Sequence, residues 1–226
     1  FVPEHYDVSL DLNRIDRQFS GSVTISGKSV SKNSPVILHA KDLDISTATI
    51  DNESAKISMG KDDEITISVD DLSIGNHVVE VFFEGKITDQ MHGLYPCYFE
   101  HEGVKKELLA TQFESHHARE VFPCIDEPAA KATFDVHLTT ETGITVLGNM
   151  PVKIQSSDKG RQHTTFETTP RMSTYLVAFV IGEMQSKTKK TKSGVEVSVW
   201  STPVQDIESL DFPLNSAIET VEFFDE

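Results

Sequence analysis

A glutamine and a glutamate two positions apart are the clearest candidates for chemistry in this sequence. Gln112 and Glu114 lie in a polar stretch between two strand-like segments, with Phe113 between them. Side chains at i and i+2 share one face of a strand, so Phe113 is expected to point the other way, into the core. An amide oxygen beside a carboxylate offers several acceptors to an ammonium group. The pair is therefore a candidate receptor for an amine.

The same stretch, residues 111–134, also has a purely structural interpretation. Arg119 could pair with Asp126 or Glu127 a few positions further on. From composition alone, a loop held together by an ion pair is the better-supported interpretation of the whole segment. Residue types by themselves do not choose between Asp126 and Glu127 as the partner of Arg119.

Other residues with metal or nucleophile chemistry lack partners at the required spacing. The run His101-Glu102-Gly103-Val104-Lys105 departs from the zinc-protease motif H-E-x-x-H at its last position, where a lysine would repel the metal, and is interpreted as an exposed hairpin turn. His116 and His117 would point to opposite faces of a strand and are interpreted as surface or half-buried side chains. Cys124 is interpreted as a buried, inert thiol. No catalytic residue and no metal ligand is predicted within this chain.

The composition and net charge of the chain disfavour several classes of binding partner. The chain has 226 residues, of which 38% are apolar, and a formal net charge of −16 at pH 7. Such an acidic surface disfavours nucleic acids and anionic lipid, and it mildly favours cationic ligands such as a free amine. No apolar run is long enough to span a membrane. Two cysteines, a single weak glycosylation motif at Asn52-Glu53-Ser54 and no signal-like start predict a cytoplasmic protein.

Short segments with period-two alternation dominate the chain and predict the fold class. They include residues 6–12, 19–26, 64–69 and 195–200. Alternation at this spacing places apolar side chains on one face of a sheet. Two more continuously apolar runs, residues 78–83 and 175–181, are expected to be strands buried on both faces, although apolar runs this short do not exclude a helix. Turn signals between the runs indicate an all-β, mainly antiparallel fold, built either as a sandwich or from curved sheets.

The last twenty residues predict a helix. Leu214, Ile218 and Val221 share one helical face, and Asp211 or Ser209 could cap the start. A helix at the end of an otherwise β chain suggests that another domain follows. The alternative is a lone C-terminal helix packed on the sheet.

Many ordered landmarks together resemble a known family. The central ones are Gln112-Phe113-Glu114, Ala118-Arg119, residues 122–128 (Phe-Pro-Cys-Ile-Asp-Glu-Pro) and residues 131–134 (Lys-Ala-Thr-Phe). Further ones are residues 3–8, 19–25, 38–45, 85–89, 93–95, 148–151 and 170–179. In this order they closely resemble the N-terminal domain of the aminopeptidase N family of zinc metallopeptidases, along almost the whole chain.

The resemblance implies a domain plan. Residues 1–203 would form a saddle-shaped, mostly antiparallel β domain, and residues 204–226 would begin a thermolysin-like catalytic domain that is missing here. The zinc ligands of the family belong to that domain, so one zinc ion is implied for the parent enzyme and none for this fragment. The fragment is expected to be a truncated piece that is inactive alone.

The resemblance also implies roles for the polar pair. Glu114 would bind the free α-amine of a peptide substrate, and Gln112 would line the pocket for its first side chain. The parent would remove single residues from peptide N-termini, with peptides and the catalytic domain of the same chain as partners. Arg119, Asp126 and Glu127 match family positions too and are interpreted as scaffolding that holds the Gln112–Glu114 segment.

Two alternatives stay open. A non-catalytic, family-like scaffold would keep the domain and lose the zinc site, although a retained amine receptor argues against it. An independent β-sandwich binding module would be stable and monomeric, without the large exposed apolar face expected of a domain separated from its neighbour.

Overall fold

Strands make up most of the regular structure in the computed structural model, which describes residues 1–225. The strands are β1 (Val2–Asn13), β2 (Gln18–Ser29), β3 (Val36–His39), β4 (Asp44–Ile50), β5 (Glu53–Ser54), β6 (Lys56–Met59), β7 (Glu64–Ser68), β8 (Gly75–Lys86), β9 (Gly93–His101), β10 (Val104–Gln112), β11 (Thr133–Glu141), β12 (Thr145–Gly148), β13 (Val152–Asp158), β14 (Arg161–Phe166), β15 (Phe179–Gly182), β16 (Gln185–Lys190) and β17 (Glu196–Ser201). One α-helix, α1, covers Asp211–Phe224. Three 3-10 helices cover Ala118–Glu120, Thr174–Leu176 and Ile207–Leu210. The predicted all-β class with a C-terminal helix is confirmed.

The largest sheet has eight strands in the order β13-β14-β11-β1-β2-β8-β4-β5. Its neighbours are antiparallel except β1 and β11, which run parallel with Tyr6 opposite Phe134. The rings of these two residues stack 4.9 Å apart and are fully buried. Alternate residues of β1 point inward, as its period-two pattern predicts.

The two continuously apolar runs differ from their predicted form. In β8, Val79, Val81 and Phe83 are buried, whereas Val78 and Phe82 are exposed, so the strand buries one face and not two. Apolar side chains on the solvent face are compatible with a strand because β-branched and aromatic residues favour extended backbone. The prediction of a strand buried on both faces is therefore wrong for residues 78–83.

The run at residues 175–181 is only partly a strand. A 3-10 helix occupies Thr174–Leu176, and β15 begins at Phe179. The Thr174 hydroxyl donates a 2.6 Å hydrogen bond to the buried carboxylate of Asp126. This hydrogen bond stabilises the turn. A tertiary contact of this kind cannot be predicted from the hydropathy of the local sequence.

A four-stranded sheet has the order β12-β15-β10-β9, and β9 and β10 form a hairpin. Glu102 and Gly103 connect these strands with φ values of 52° and 75°. Two consecutive left-handed residues are typical of the tight turn that matches the twist of a hairpin. The predicted turn at residues 101–105 is confirmed.

The chain divides into two compact units. The first comprises residues 1–96 and 109–180 and holds the eight-stranded sheet together with a three-stranded sheet of order β3-β7-β6. The second comprises residues 97–108 and 181–226, of which the structure describes all but the last, and contains β16, β17 and α1. The predicted domain boundary after residue 203 stays a prediction.

The C-terminal helix lies where the sequence predicts it, with a different start. The 3-10 helix Ile207–Leu210 precedes it directly, and the Asp206 carboxylate caps that helix by accepting from the Glu208 amide. The residue at the N-cap position of α1 is Leu210, and no side chain caps this helix. The predicted cap at Asp211 or Ser209 is therefore wrong. Leu214 is buried, as the helical face predicts. No helix among residues 1–225 is long and apolar enough to cross a membrane.

Candidate functional site

Gln112 and Glu114 lie at the end of β10, in the first compact unit. Both side chains are exposed, while Phe113 between them is 1% exposed and packs edge-on against Phe122 at 6.1 Å. The predicted split between outward polar groups and an inward ring is therefore observed. β10 ends at Gln112, so Glu114 lies in the following turn and not on the strand itself. The Glu114–Ser115 peptide bond is cis.

The acceptor atoms of this pair are available to a ligand. Within residues 1–225, neither the Gln112 amide nor the Glu114 carboxylate takes part in a side-chain hydrogen bond or an ion pair. Their backbone is anchored: the buried ring of Phe113 holds one side, and the Phe113 carbonyl accepts a 2.9 Å hydrogen bond from the His117 amide. A carboxylate that is unpaired and locally positioned in this way fits a cationic ligand.

A buried ion pair lies in the segment that follows the two candidate residues. Arg119 Nε donates to Asp126 Oδ2 at 3.1 Å, and the Arg119 backbone amide donates to the same oxygen at 3.3 Å. The Asp126 side chain is 1% exposed and the Arg119 side chain 11% exposed. Glu127, the alternative partner that the sequence left open, is exposed. The predicted scaffolding interaction is thus Arg119 with Asp126.

Further hydrogen bonds connect Asp126 and its neighbours to the sheets. The Asp126 amide donates to His39 Nδ1 at 3.1 Å, and the Ile125 amide donates to the Tyr6 hydroxyl at 3.1 Å. Cys124 pairs through its backbone with His39, and burial raises the pKa of its thiol well above the usual range. Burial likewise raises the pKa of the Tyr6 hydroxyl. Cys124 is buried as predicted, and so are its neighbours from residue 121 to residue 123 and Asp126.

Sequence reasoning missed a polar cluster around Glu120. His92 Nδ1 lies 2.6 Å from Glu120 Oε2, while His117 Nδ1 and Lys41 Nζ each lie 3.0 Å from Glu120 Oε1. The His92 and His117 rings stack at 4.1 Å. The spacing of His117 and Glu120, i and i+3, is typical of a helical turn and could have been noticed. Nothing in the sequence connects His92 or Lys41 to this turn.

The histidine pair at 116 and 117 is not on a strand. Both residues lie in the turn before the 3-10 helix Ala118–Glu120, and their rings stack at 4.8 Å. The prediction that they point to opposite faces is wrong, because the chain has already left its extended conformation there. The predicted exposure holds, since His116 is exposed and His117 half-buried.

The charges of the cluster stabilise each other. Burial raises the pKa of Glu120, but hydrogen bonds from His117, Lys41 and His92 outweigh it and leave the pKa below its ordinary value. The hydrogen bond with Glu120 raises the pKa of Lys41. Glu120 is therefore an anion at neutral pH, paired with at least one full positive charge.

The comparisons with known proteins decide the family. A family model described as the peptidase M1 N-terminal domain matches residues 2–176. The chain belongs to this family. The peptidase M1 match includes Gln112, Glu114 and the Arg119–Asp126 pair, and it ends before α1. The resemblance seen in the sequence is confirmed.

Curated peptidase M1 relatives cover the whole chain. An aminopeptidase N of Lactococcus lactis subsp. lactis is 45% identical over all of this chain and 27% of its own length. An aminopeptidase N of Lactobacillus delbrueckii subsp. lactis is 42% identical, with 26% of its length matched. Endoplasmic reticulum aminopeptidase 1 of Homo sapiens is 33% identical, with 25% matched. The chain therefore spans about a quarter of the length of the curated relatives it matches.

Proposed function

We propose that this chain is the domain of a zinc-dependent aminopeptidase that binds the free α-amine of a peptide substrate through Glu114. Gln112 lines the pocket for the first substrate side chain. The observation that carries the proposal is the exposed, unpaired carboxylate of Glu114 beside Gln112, on a segment anchored by Phe113 and by the Arg119–Asp126 pair. The names of the relatives support a peptidase that acts at a terminus.

The pairing explains why such an enzyme would cut at a terminus. An α-ammonium group gives the Glu114 carboxylate a charge-assisted hydrogen bond as water leaves the closed site. An internal peptide bond brings no positive charge and would leave the carboxylate desolvated and unpaired. Cleavage at internal peptide bonds is therefore disfavoured without any steric block, because desolvating the unpaired carboxylate costs free energy.

The hydrolytic centre belongs to the remainder of the polypeptide. The nearest motif in this chain to a zinc helix is the β9–β10 turn, with Lys105 where a histidine ligand would stand, so these residues do not fit the catalytic metal. We assign to this chain the binding and orientation of the substrate N-terminus only, and we expect it to be inactive alone. Its partner is the catalytic domain of the same chain, and a content of two cysteines in 226 residues suits a cytoplasmic location.

The test uses the protein expressed from its complete gene. Glu114→Gln keeps the shape of the side chain and removes its charge. We expect kcat/KM for a free-amine dipeptide or aminoacyl anilide to fall roughly 10- to 100-fold, the value of one charged hydrogen bond. Bound zinc, measured by elemental analysis, should stay unchanged.

The matched control is Glu127→Gln, which removes an exposed carboxylate from the same segment. It should leave kcat/KM within about twofold of the wild type. Equal kinetics for Glu114→Gln and Glu127→Gln would overturn the assignment of Glu114.

A further inference from the structure

Three nitrogen and oxygen atoms that could bind a metal lie close together in the first compact unit. None of them has a role in the proposed function. They are one ring nitrogen each of His92 and His117 and a carboxylate oxygen of Glu120, and these atoms lie within 4.8 Å of one another. Within residues 1–225 this is the one group of three histidine, cysteine or acidic side chains close enough to hold a metal ion together. We propose that His92, His117 and Glu120 bind a divalent transition-metal ion such as Zn²⁺.

The donor set is chemically suited to such an ion. Two imidazole nitrogens and one carboxylate oxygen are borderline ligands that favour Zn²⁺, Co²⁺ or Ni²⁺ over the all-oxygen ions Mg²⁺ and Ca²⁺. Three protein ligands leave a fourth tetrahedral position for water.

The required rearrangement is small. Tetrahedral ligands of zinc lie about 3.4 Å apart, given metal–ligand distances of about 2.1 Å. The contact between His92 and Oε2 of Glu120 is 2.6 Å long, so it must open by less than about 1 Å for an ion to replace the shared proton. The ligand nitrogen of His117 lies within 4.8 Å of the other two ligand atoms. The side chains of His92 and His117 are 28% and 20% exposed, which leaves their rings room to rotate.

The cluster is open to solvent, and a neighbouring side chain can support a metal ligand from the outer shell. A cavity of about 400 Å³ opens beside the cluster and is lined by His92, Gly93 and Glu120, among others, so an ion and its water can enter. Lys41 donates to Oε1 of Glu120, which leaves Oε2, the oxygen beside His92, for the metal. A ligating carboxylate that accepts a hydrogen bond on its second oxygen is a common outer-shell arrangement.

The metal would connect two segments that are far apart in sequence. His117 and Glu120 belong to the turn and 3-10 helix that follow Glu114, whereas His92 precedes β9. An ion bound to all three would replace a hydrogen-bonded contact by coordinate bonds and hold this turn more firmly. This inference is independent of the amine-binding role of Glu114.

The test is a metal count on the complete protein and its variants. Wild type, His92→Gln, Glu120→Gln and the control His163→Gln are dialysed against the same micromolar Zn²⁺ buffer, and bound zinc is measured by elemental analysis. His163 is an exposed histidine of β14 whose ring hydrogen-bonds to Thr139, and it lies outside the cluster. Any zinc bound elsewhere is common to all four proteins, so the difference between them isolates the cluster.

We expect wild type and His163→Gln to bind one more equivalent than His92→Gln and Glu120→Gln, whose zinc affinity at this place should fall at least about tenfold. Substituting Co²⁺ should give the visible absorption of a four-coordinate ion in wild type and lose it in both cluster variants. His92 is the most exposed of the three ligands, so its variant carries the comparison if Glu120→Gln fails to fold. Equal zinc content in wild type and His92→Gln would overturn the proposal and leave a hydrogen-bonded ion cluster only.

Discussion

Asp126 holds the segment after Glu114 in place at the scale of single residues. Its carboxylate accepts from Arg119 and from the Thr174 hydroxyl, and its backbone amide donates to His39. Replacing it by asparagine keeps the volume but leaves the Arg119 guanidinium buried without its nearest counter-charge. We expect Asp126→Asn to lower the free energy of unfolding by about 3 kcal/mol, as measured by urea denaturation.

Glu127→Gln is the matched control for this substitution. It alters the neighbouring residue, which is exposed, and should change the free energy of unfolding by less than about 0.5 kcal/mol. A loss of similar size in both variants would show that the local sequence matters and the buried ion pair does not.

The sequence predicted the orientation of Gln112 and Glu114 because that orientation is a local property. An apolar ring between two polar side chains faces inward wherever the backbone is extended. The partner of Arg119 was undecidable from the sequence, since Asp126 and Glu127 are adjacent and only burial distinguishes them. The Glu120 cluster was missed because His92 and Lys41 reach it through tertiary structure, 28 and 79 positions away.

At the scale of elements, a buried histidine connects β8 to the turn after β4. Nδ1 of His77 lies 2.6 Å from the Asp51 carboxylate, and Nε2 lies 2.9 Å from the Ser73 carbonyl. Both partners accept hydrogen bonds, and only the protonated imidazolium can donate from both nitrogens. The hydrogen bond with Asp51 accordingly raises the pKa of His77 above its ordinary 6.5.

A raised pKa determines the sign of the pH dependence. The contribution of His77 to stability is complete below its unfolded pKa of 6.5 and is lost as pH rises through the higher folded pKa. Asp51, whose pKa lies below 3.8 because the hydrogen bonds from His77 and the Val78 amide outweigh its burial, stays charged throughout this range. The stability difference between wild type and His77→Gln should therefore be larger at about pH 6 than at about pH 9.

Urea denaturation at both pH values measures this difference, with His163→Gln as the control that removes an exposed histidine. The control should show a small difference at both values. A His77→Gln effect of constant size across the range would contradict the protonated assignment.

The elements themselves were predictable to unequal degrees. Alternation identified β1 and β2 because one face of each contacts the core and the other contacts solvent or polar neighbours. The continuous apolar run at 175–181 was predicted to be a strand throughout, but it begins within a 3-10 helix whose Thr174 hydroxyl donates to Asp126. The parallel pairing of β1 with β11 in the eight-stranded sheet joins segments about 130 residues apart, and no local pattern specifies such a partner.

At the scale of the whole molecule, recognition and hydrolysis belong to different parts of one polypeptide in our account. This chain spans about a quarter of the length of its aminopeptidase relatives and carries a net charge of −16. In our proposal, the charge favours the approach of a cationic peptide terminus over long range, and Glu114 provides the short-range contact. The two effects separate experimentally, because added salt weakens the first much more than the second.

The central claim is that Glu114 contacts the substrate α-amine, and a thermodynamic cycle tests it most directly. Inhibition constants of a peptide product and of its des-amino analogue are measured for the complete wild-type protein and for Glu114→Gln. We predict that wild type prefers the amine-bearing ligand at least about tenfold and that Glu114→Gln loses most of this preference. An undiminished preference in Glu114→Gln would contradict the claim and place the amine against other residues.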